Sequence, residues 1–324
     1  MILPNPKIID FSKFLFRASS FGLMMAGTKG ISAKQLEKID ELKAKALIVK
    51  GLGKGDTAKL LKATDPLIIS ELEAKRIAKR GNTPAEVIVL DKLIDLRDSP
   101  LSLSPGALTY LRKTFREVKY NRRIPLKNKF LDKGNFNEDA AITMIALAKG
   151  EWLENNKNRV NSDFFTGEVD MVEGYDAKCS WWLDSFPEKD DSLPPIYEFQ
   201  NRVYMHLHNA PQWSTIYCLL DIPRHMMEDL LRRESYNGEV SDERKMELFN
   251  LYVYTEDTMY DFIKFFKVDL ENNDKAKKVM LDFVHIPEEK RMIEKIVYRD
   301  MDIENMMVEI ATLGRDELLR LDNL

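Results

Sequence analysis

Cysteine is nearly missing from this chain: its 324 residues include two, Cys179 and Cys218. Two cysteines exclude a disulfide-built scaffold and suit a reducing, cytoplasmic setting. Both fall in apolar, strand-like runs, where a small buried hydrophobe is the expected role. Histidine is scarce too, and His206, His208, His225 and His285 show no pairing that predicts a zinc site. No uncharged run is long enough to cross a bilayer. The segment Ser19–Ala26 is short and follows Asp10, so neither membrane insertion nor export is expected. Glycine and proline are not concentrated, and no internal repeat or long low-complexity segment is apparent. The stretch Asp98–Pro105, DSPLSLSP, reads as the best linker or hinge.

A large excess of positive charge is also lacking. The net charge of −4 argues against wholesale coating of nucleic acid. The local distribution differs: Tyr110–Phe130 carries Arg112, Lys113, Arg116, Lys119, Arg122, Arg123, Lys127 and Lys129 against a single Glu117, interleaved with Tyr110, Phe115 and Tyr120. Such a run is ordinarily solvated surface; set just before a functional helix, it could instead meet phosphates.

The densest chemistry lies in Thr166–Ser180, TGEVDMVEGYDAKCS. It reads as two short strands joined by a tight turn. If Val172, Glu173 and Gly174 form a three-residue loop with Gly174 at positive φ, Asp170 lies directly across from Asp176. Opposed residues share a sheet face with Cβ atoms about 4.5–5.5 Å apart. Lys178 falls on the same face as Asp176. Two carboxylates and an ammonium then converge, as a hard divalent cation and an attacking water require. A two-residue loop would instead pair Asp170 with Ala177 and separate the two aspartates. Acid-x-Lys alone is common here (Glu41/Lys43, Glu73/Lys75, Glu117/Lys119, Glu243/Lys245, Glu288/Lys290), and in each of those the context is that of a solvated face.

The flanking segments add candidates. Residues 137–148 predict a helix with Asn137 as N-cap, Ala141, Met144, Ile145 and Ala148 as its apolar stripe, and Glu138 in the first turn. Helix-dipole preference accounts for Glu138, which is also placed to be a third acid. Residues 196–207 predict a helix buried along Ile196, Phe199, Val203 and Leu207, with Gln200 and Tyr204 one turn apart beside that stripe. Trp213–Leu220 reads as a buried central strand. Elsewhere, helices are expected over residues 32–49 (opened by a Ser32/Gln35 capping box), 67–80, 224–234, 241–266 and 303–321. Gly51–Thr57 reads as a flexible turn rather than a phosphate loop.

This ordered set resembles the PD-(D/E)XK nuclease superfamily, in its RecB-like and phage exonuclease branch (lambda exonuclease, YqaJ-type recombination nucleases). The likeness spans roughly Lys133–Pro223: Gly134 and Glu138, then Gly167-Glu-Val-Asp170, then Asp176-Ala-Lys178, then Gln200-Asn-Arg-Val-Tyr204. Glu138 stands where RecB-type members often carry histidine, and two cysteines cannot build an iron–sulfur cluster. The resemblance implies an α/β (α+β) fold, a restriction-endonuclease-like mixed sheet core flanked by helices. It implies one decorated domain: a helical region 1–130 with the basic stretch, a catalytic core 131–224 and a helical region 225–324. It further implies a Mg²⁺-dependent deoxyribonuclease, with Mn²⁺ as an alternative. Glu138, Asp170, Asp176 and the Ala177 carbonyl would hold metal, Lys178 would serve the attacking water or the phosphate, and Gln200 and Tyr204 would position Lys178 and the strand. DNA, chiefly duplex ends, is the implied substrate, with phage-type recombination, repair or degradation as the setting. A single-strand annealing protein, homo-oligomerisation and, for a phage-encoded chain, the bacterial host cytoplasm also belong to this expectation. Arg17, Ser19 and Ser20 look similar to the arginine and serine with which lambda-type exonucleases hold a 5′-phosphate, though a helix start explains them as well. A restriction- or adaptation-type endonuclease and a non-catalytic DNA-binding scaffold remain open beside the exonuclease.

Overall fold

In the computed structural model, which describes residues 9–27, 37–43, 84–98, 100–123 and 129–324, the apolar run after Pro211 is strand β5 (Gln212–Cys218), buried from Trp213 onward. A strand covered on both sides needs a layer on each face, and alternation assigns them. Trp213, Thr215 and Tyr217 turn to helix α5 (Pro195–His208), where they meet Tyr204, Asn201 and Tyr197. Ile216 and Cys218 turn the other way, into a cluster with Ala141, Ile142 and Ile145 of helix α4 (Lys129–Lys149).

Strand β4 (Tyr175–Cys179) pairs parallel with one edge of β5, and β6 (Met292–Tyr298) pairs antiparallel with the other. The register sets Asp176 opposite Thr215 and Lys178 opposite Tyr217. Both therefore face α5, while Tyr175, Ala177 and Cys179 join the α4 cluster. A second small sheet holds β1 (Phe16–Arg17) parallel to β3 (Phe165–Glu168), with β2 (Arg159–Asn161) antiparallel on the far edge. The expected mixed sheet core flanked by helices is thus present, divided between two three-stranded sheets.

Helix α1 (Ala18–Met25) lies against α5, and Gly22 sets how closely. A Cβ at Gly22 would stand 2.7 Å from the Ile196 Cα, which is backbone and cannot swing aside. Gly22→Ala is therefore expected to destabilise the protein by about 1–3 kcal/mol, the usual penalty of overpacking, read as a lower urea midpoint with unchanged slope. Helix α3 (Pro105–Lys119) packs on α1 and on the long α10 (Met301–Asp322). After Pro223, α6 (Arg224–Glu234), α7 (Asp242–Tyr252), α8 (Glu256–Phe265) and α9 (Asp274–Leu281) enclose a cluster that includes Met226, Met227, Met246, Phe249 and Phe262.

The chain divides into two compact units, Met1–Ala26 with Pro105–Leu324, and Gly27–Ser104. The division at Ser104 falls inside the expected hinge. In the second unit residues 37–43 are helical and bury Ile39 and Leu42, and α2 (Pro84–Asp98) is a further helix. The Ser32/Gln35 capping box, the Gly51–Thr57 turn and the 67–80 helix lie outside the described residues. Among the described residues no helix is long and apolar enough to cross a membrane.

Three local expectations are corrected. Asn137 is no N-cap: α4 starts at Lys129, and Asn137 sits inside it with its Nδ2 donating to the Asp221 carbonyl at 3.1 Å. The buried stripe of α4 runs through Ile142 rather than Ala148, which is exposed. The helix expected over 241–266 is broken after Tyr252, because the Asp221 carboxylate accepts from the Tyr254 N–H and the Thr255 hydroxyl, and Thr255 then caps α8.

Candidate active site

The two aspartates are brought together by the turn between β3 and β4. Gly174 has φ of 101°, and the antiparallel bridge Met171–Tyr175 makes the next opposed pair Asp170 and Asp176. The three-residue loop is therefore the one that forms. The predicted two-strand hairpin is not: Asp170 lies just past the end of β3, and β4 takes β5 as its ladder partner. The turn is tied down from both sides, since Ser214 N donates to the Gly174 carbonyl at 2.8 Å and Asn156 N to that of Asp170 at 2.8 Å. The Asp170 side chain reaches back across the turn, its Oδ2 accepting from Ala177 N at 3.0 Å.

Asp176 is 1% exposed, and its Oδ2 makes an ion pair but no hydrogen bond. Its Oδ1 accepts from Gln200 Nε2 at 3.2 Å, and its Oδ2 meets Lys178 Nζ. Gln200 Nε2 also donates to Tyr204 Oη at 2.8 Å, and Tyr204 Oη donates to the Glu168 carbonyl at 3.1 Å. Tyr204 can come so near β3 only because residue 167 is glycine: a Cβ there would stand 3.0 Å from its ring. Gln200 and Tyr204, expected at the edge of the α5 stripe, are instead among its most buried residues, because the polar chain Asp176–Gln200–Tyr204 satisfies them.

Glu138, Asp170, Ala177 and Lys178 line one cleft of about 430 Å³. Glu138 is held from the loop after α4: Asn155 Nδ2 donates to its Oε1 at 2.8 Å and to Asp139 Oδ1 at 3.0 Å, and Lys157 Nζ stands 3.3 Å from the same Glu138 oxygen. Among the described residues no group of three or more His, Cys, Asp or Glu side chains could hold a metal ion. The carboxylates that face the cleft are Glu138 and Asp170; Asp176 is turned onto Lys178 and Gln200.

Burial, and then the negative charge of Asp176, push the Asp170 carboxyl up to about 7 against the opposing pull of Lys178 and the Ala177 N–H. Burial alone would lower the Lys178 ammonium, but the Asp176 and Asp170 carboxylates outweigh it and hold the ammonium above its ordinary range. Lys178 is thus a fixed cation, with Nζ also 5.3 Å over the Tyr197 ring. Burial likewise raises the Tyr204 phenol, which stays neutral, and pushes the Cys179 thiol up to about 11, so no thiolate lines the cleft at neutral pH.

The remaining candidates lie elsewhere in this unit. Arg112, Lys113, Arg116 and Arg122 line a separate cleft of about 710 Å³ between α3 and the end of α10. Lys119 is bound to Asp322, and Lys113 stands 3.8 Å from Glu117. Arg17 is the N-cap residue of α1, exposed Ser19 follows in its first turn, and Ser20 Oγ is 2.9 Å from Tyr110 Oη. Burial, with Arg123 and Arg159 as positive neighbours, lowers the Arg17 guanidinium. His206 Nδ1 pairs with Glu304 at 2.7 Å and His208 lies against the Trp213 ring.

Three site-related residues gave no sequence signal. Asn155 and Lys157 sit in an aperiodic polar loop, and only the fold brings them to Glu138. Lys133, 1% exposed, donates to the Ser180 and Trp181 carbonyls at 2.9 and 3.0 Å and so fixes the chain just beyond β4.

No protein-family model matches this chain, and no curated protein matches it. Among solved structures, a phage-related exonuclease from Haemophilus somnus 129PT is similar at 20% identity over 68% of this chain and 85% of that one, with a TM-score of 0.49. What the site can do follows from its own geometry.

Proposed function

We propose that this chain is a metal-dependent deoxyribonuclease, acting as an exonuclease on DNA ends. The observation that carries the reading is the meeting of Glu138, Asp170 and Lys178 in one cleft, with Lys178 held from behind by buried Asp176 and the Gln200–Tyr204 pair. Charged groups placed so, with a cation held beside two carboxylates that line the same cleft, match phosphoryl chemistry better than binding alone.

The donors suit Mg²⁺ or Mn²⁺: they are carboxylate oxygens and backbone, with no imidazole and no thiolate among the described residues of the cleft. The Asp170 carboxyl, raised by burial and then by the charge of Asp176, is one whose ionised form a divalent ion would stabilise. Glu138, Asp170 and the Ala177 carbonyl would hold it, and Asp176 would join on giving up one of its present partners. Bound there, such an ion supplies an activated water and neutralises charge on the scissile phosphate.

The chain's own residues do the rest. Lys178, kept protonated by its carboxylates, donates to a non-bridging phosphate oxygen and stabilises the charge that grows there. It acts as an electrostatic group and not as a base. Gln200 and Tyr204 hold the Asp176 carboxylate in one orientation and so aim Lys178. Asn155 holds Glu138, and Lys157 shields it until substrate arrives. The basic residues Arg112, Lys113, Arg116 and Arg122, with Arg123, Arg17 and Ser19 nearer β1, are the candidates for contacting the DNA backbone.

End-labelled linear duplex and closed circular DNA, each with Mg²⁺, Mn²⁺ or chelator, test the reading. Loss of the linear form alone, only with metal, is the expected result. Efficient cutting of the closed circle would make it an endonuclease, and no cleavage under any condition would leave a DNA-binding protein.

A further inference from the structure

The cleft that holds Lys178 does not end there. Ser185, Tyr197 and Tyr217 line it and also line a neighbouring cleft of about 420 Å³, so the two form one trough. Its chemistry changes along its length. Beside Lys178 the walls carry Glu138, Asp170 and the ammonium; in the neighbouring cleft they are tyrosine, phenylalanine, proline and serine, with the carboxylates of Asp184 and Asp191. Among the described residues, no lysine, arginine or histidine lines that second part. A phosphate would meet two carboxylates there, and the nearby Lys295 ammonium has its donors spent on backbone carbonyls, which disfavours a phosphate as the occupant. A flat, uncharged ring carrying N–H donors meets the opposite: aromatic faces to stack on and carboxylate oxygens to accept its hydrogen bonds.

The wall is also built in advance. Lys295 Nζ donates to the carbonyls of Glu188, Lys189 and Asp191 at 2.7, 2.8 and 2.7 Å, which uses all three of its donors. Asp191 Oδ2 accepts from Glu188 N at 2.8 Å and closes the same turn. A wall ordered before the ligand arrives costs little to order on binding. Tyr197 joins the two parts, because its ring carries Lys178 Nζ at 5.3 Å and lies 6.3 Å from the Tyr217 ring.

We propose that the second cleft is a nucleobase subsite: an unpaired base next to the phosphate held at Lys178 enters it, stacks on Tyr197 and donates to Asp184. This rests on the nuclease reading and narrows its substrate to a strand with at least one unpaired nucleotide at the cut. A base still in the duplex cannot enter, because its neighbours cover both faces and its pairing edge is used.

The test is a short single-stranded oligonucleotide carrying 2-aminopurine at each position in turn, mixed with the full chain and Ca²⁺ and read at once. Binding should quench the fluorescence at one position, by stacking, and leave its neighbours bright. Tyr197→Phe should keep the quench; Tyr197→Leu should lose it and weaken binding by roughly 5- to 150-fold, the range for losing one base–aromatic stack. Binding without a quenched position, or an unchanged quench in Tyr197→Leu, overturns the subsite and leaves the nuclease standing. If wild-type chain neither binds the oligonucleotide nor cleaves any DNA with Mg²⁺ or Mn²⁺, the nuclease reading fails and the subsite with it.

Discussion

Replacing Lys178 by alanine is expected to stop DNA cleavage and to lower thermal stability in the same variant. The two effects have separate causes. Cleavage falls because the charge growing on the phosphate loses its fixed cation; removal of one such preorganised donor typically costs on the order of 10²–10³ in rate. Stability falls because Asp176 is 1% exposed and Lys178 is its ion-pair partner. Removing one member of a buried pair leaves an uncompensated charge and costs about 3–5 kcal/mol, a drop in melting temperature on the order of 10 °C for a domain of this class. A second variant separates the causes. With Asp176→Asn added, the orphaned charge is gone and Gln200 keeps an oxygen to bond, so much of the stability returns while cleavage does not. Melting followed by circular dichroism, alongside a gel assay in Mg²⁺, reads both. A single variant that cuts at the wild-type rate removes Lys178 from the mechanism.

The site was legible in the sequence where geometry is local. The spacing from Asp170 to Asp176, with Gly174 between, allows a three-residue or a two-residue turn, the three-residue turn forms, and the alternation of β4 then puts Lys178 on the face of Asp176. The same alternation, with the apolar run of β5, fixes which face α5 must cover, and so brings Gln200 to Asp176. Contacts set by distant parts of the chain left no such trace. Strand β6 lies more than 70 residues beyond β5 in the chain, and its mixed sequence MIEKIVY carries charges because it is an edge strand. The break between α7 and α8 depends on Asp221. Periodicity cannot report a helix end set by a side chain from another element. Nor could it show that α1 closes on α5 at Gly22, since an isolated glycine in a helical pattern carries no hint of what faces it.

Asp170→Asn is expected to make the metal-free protein more stable at pH 8 while removing its response to divalent metal. In the folded chain the Asp170 carboxyl is raised from its ordinary 3.8 to about 7, first by burial and then by Asp176. The fold therefore favours the protonated form. The sign follows: the contribution to stability is fully present below about pH 4, where folded and unfolded chains are both protonated, and is lost as pH rises towards 7, where the unfolded chain ionises freely and the folded one does so against resistance. Above that the native state carries a penalty on the order of a few kcal/mol. Asparagine keeps an oxygen for the Ala177 N–H and cannot ionise, so it escapes the penalty; wild type and variant should converge near pH 4 and separate by pH 8. A divalent ion bound to Asp170 acts in the opposite sense, because it stabilises the ionised carboxylate that folding alone resists. Mg²⁺ or Mn²⁺ should then raise the melting temperature of the wild-type chain more at pH 8 than at pH 5.5, and leave Asp170→Asn nearly unmoved. A variant less stable than wild type at pH 8 would show that Asp170 is no reservoir of unfavourable charge, and equal metal shifts in the two proteins would place the ion elsewhere. Sacrificing stability to keep an ionisable group in a crowded, buried position is the pattern of a functional residue, since a group kept only for packing would be better served by asparagine.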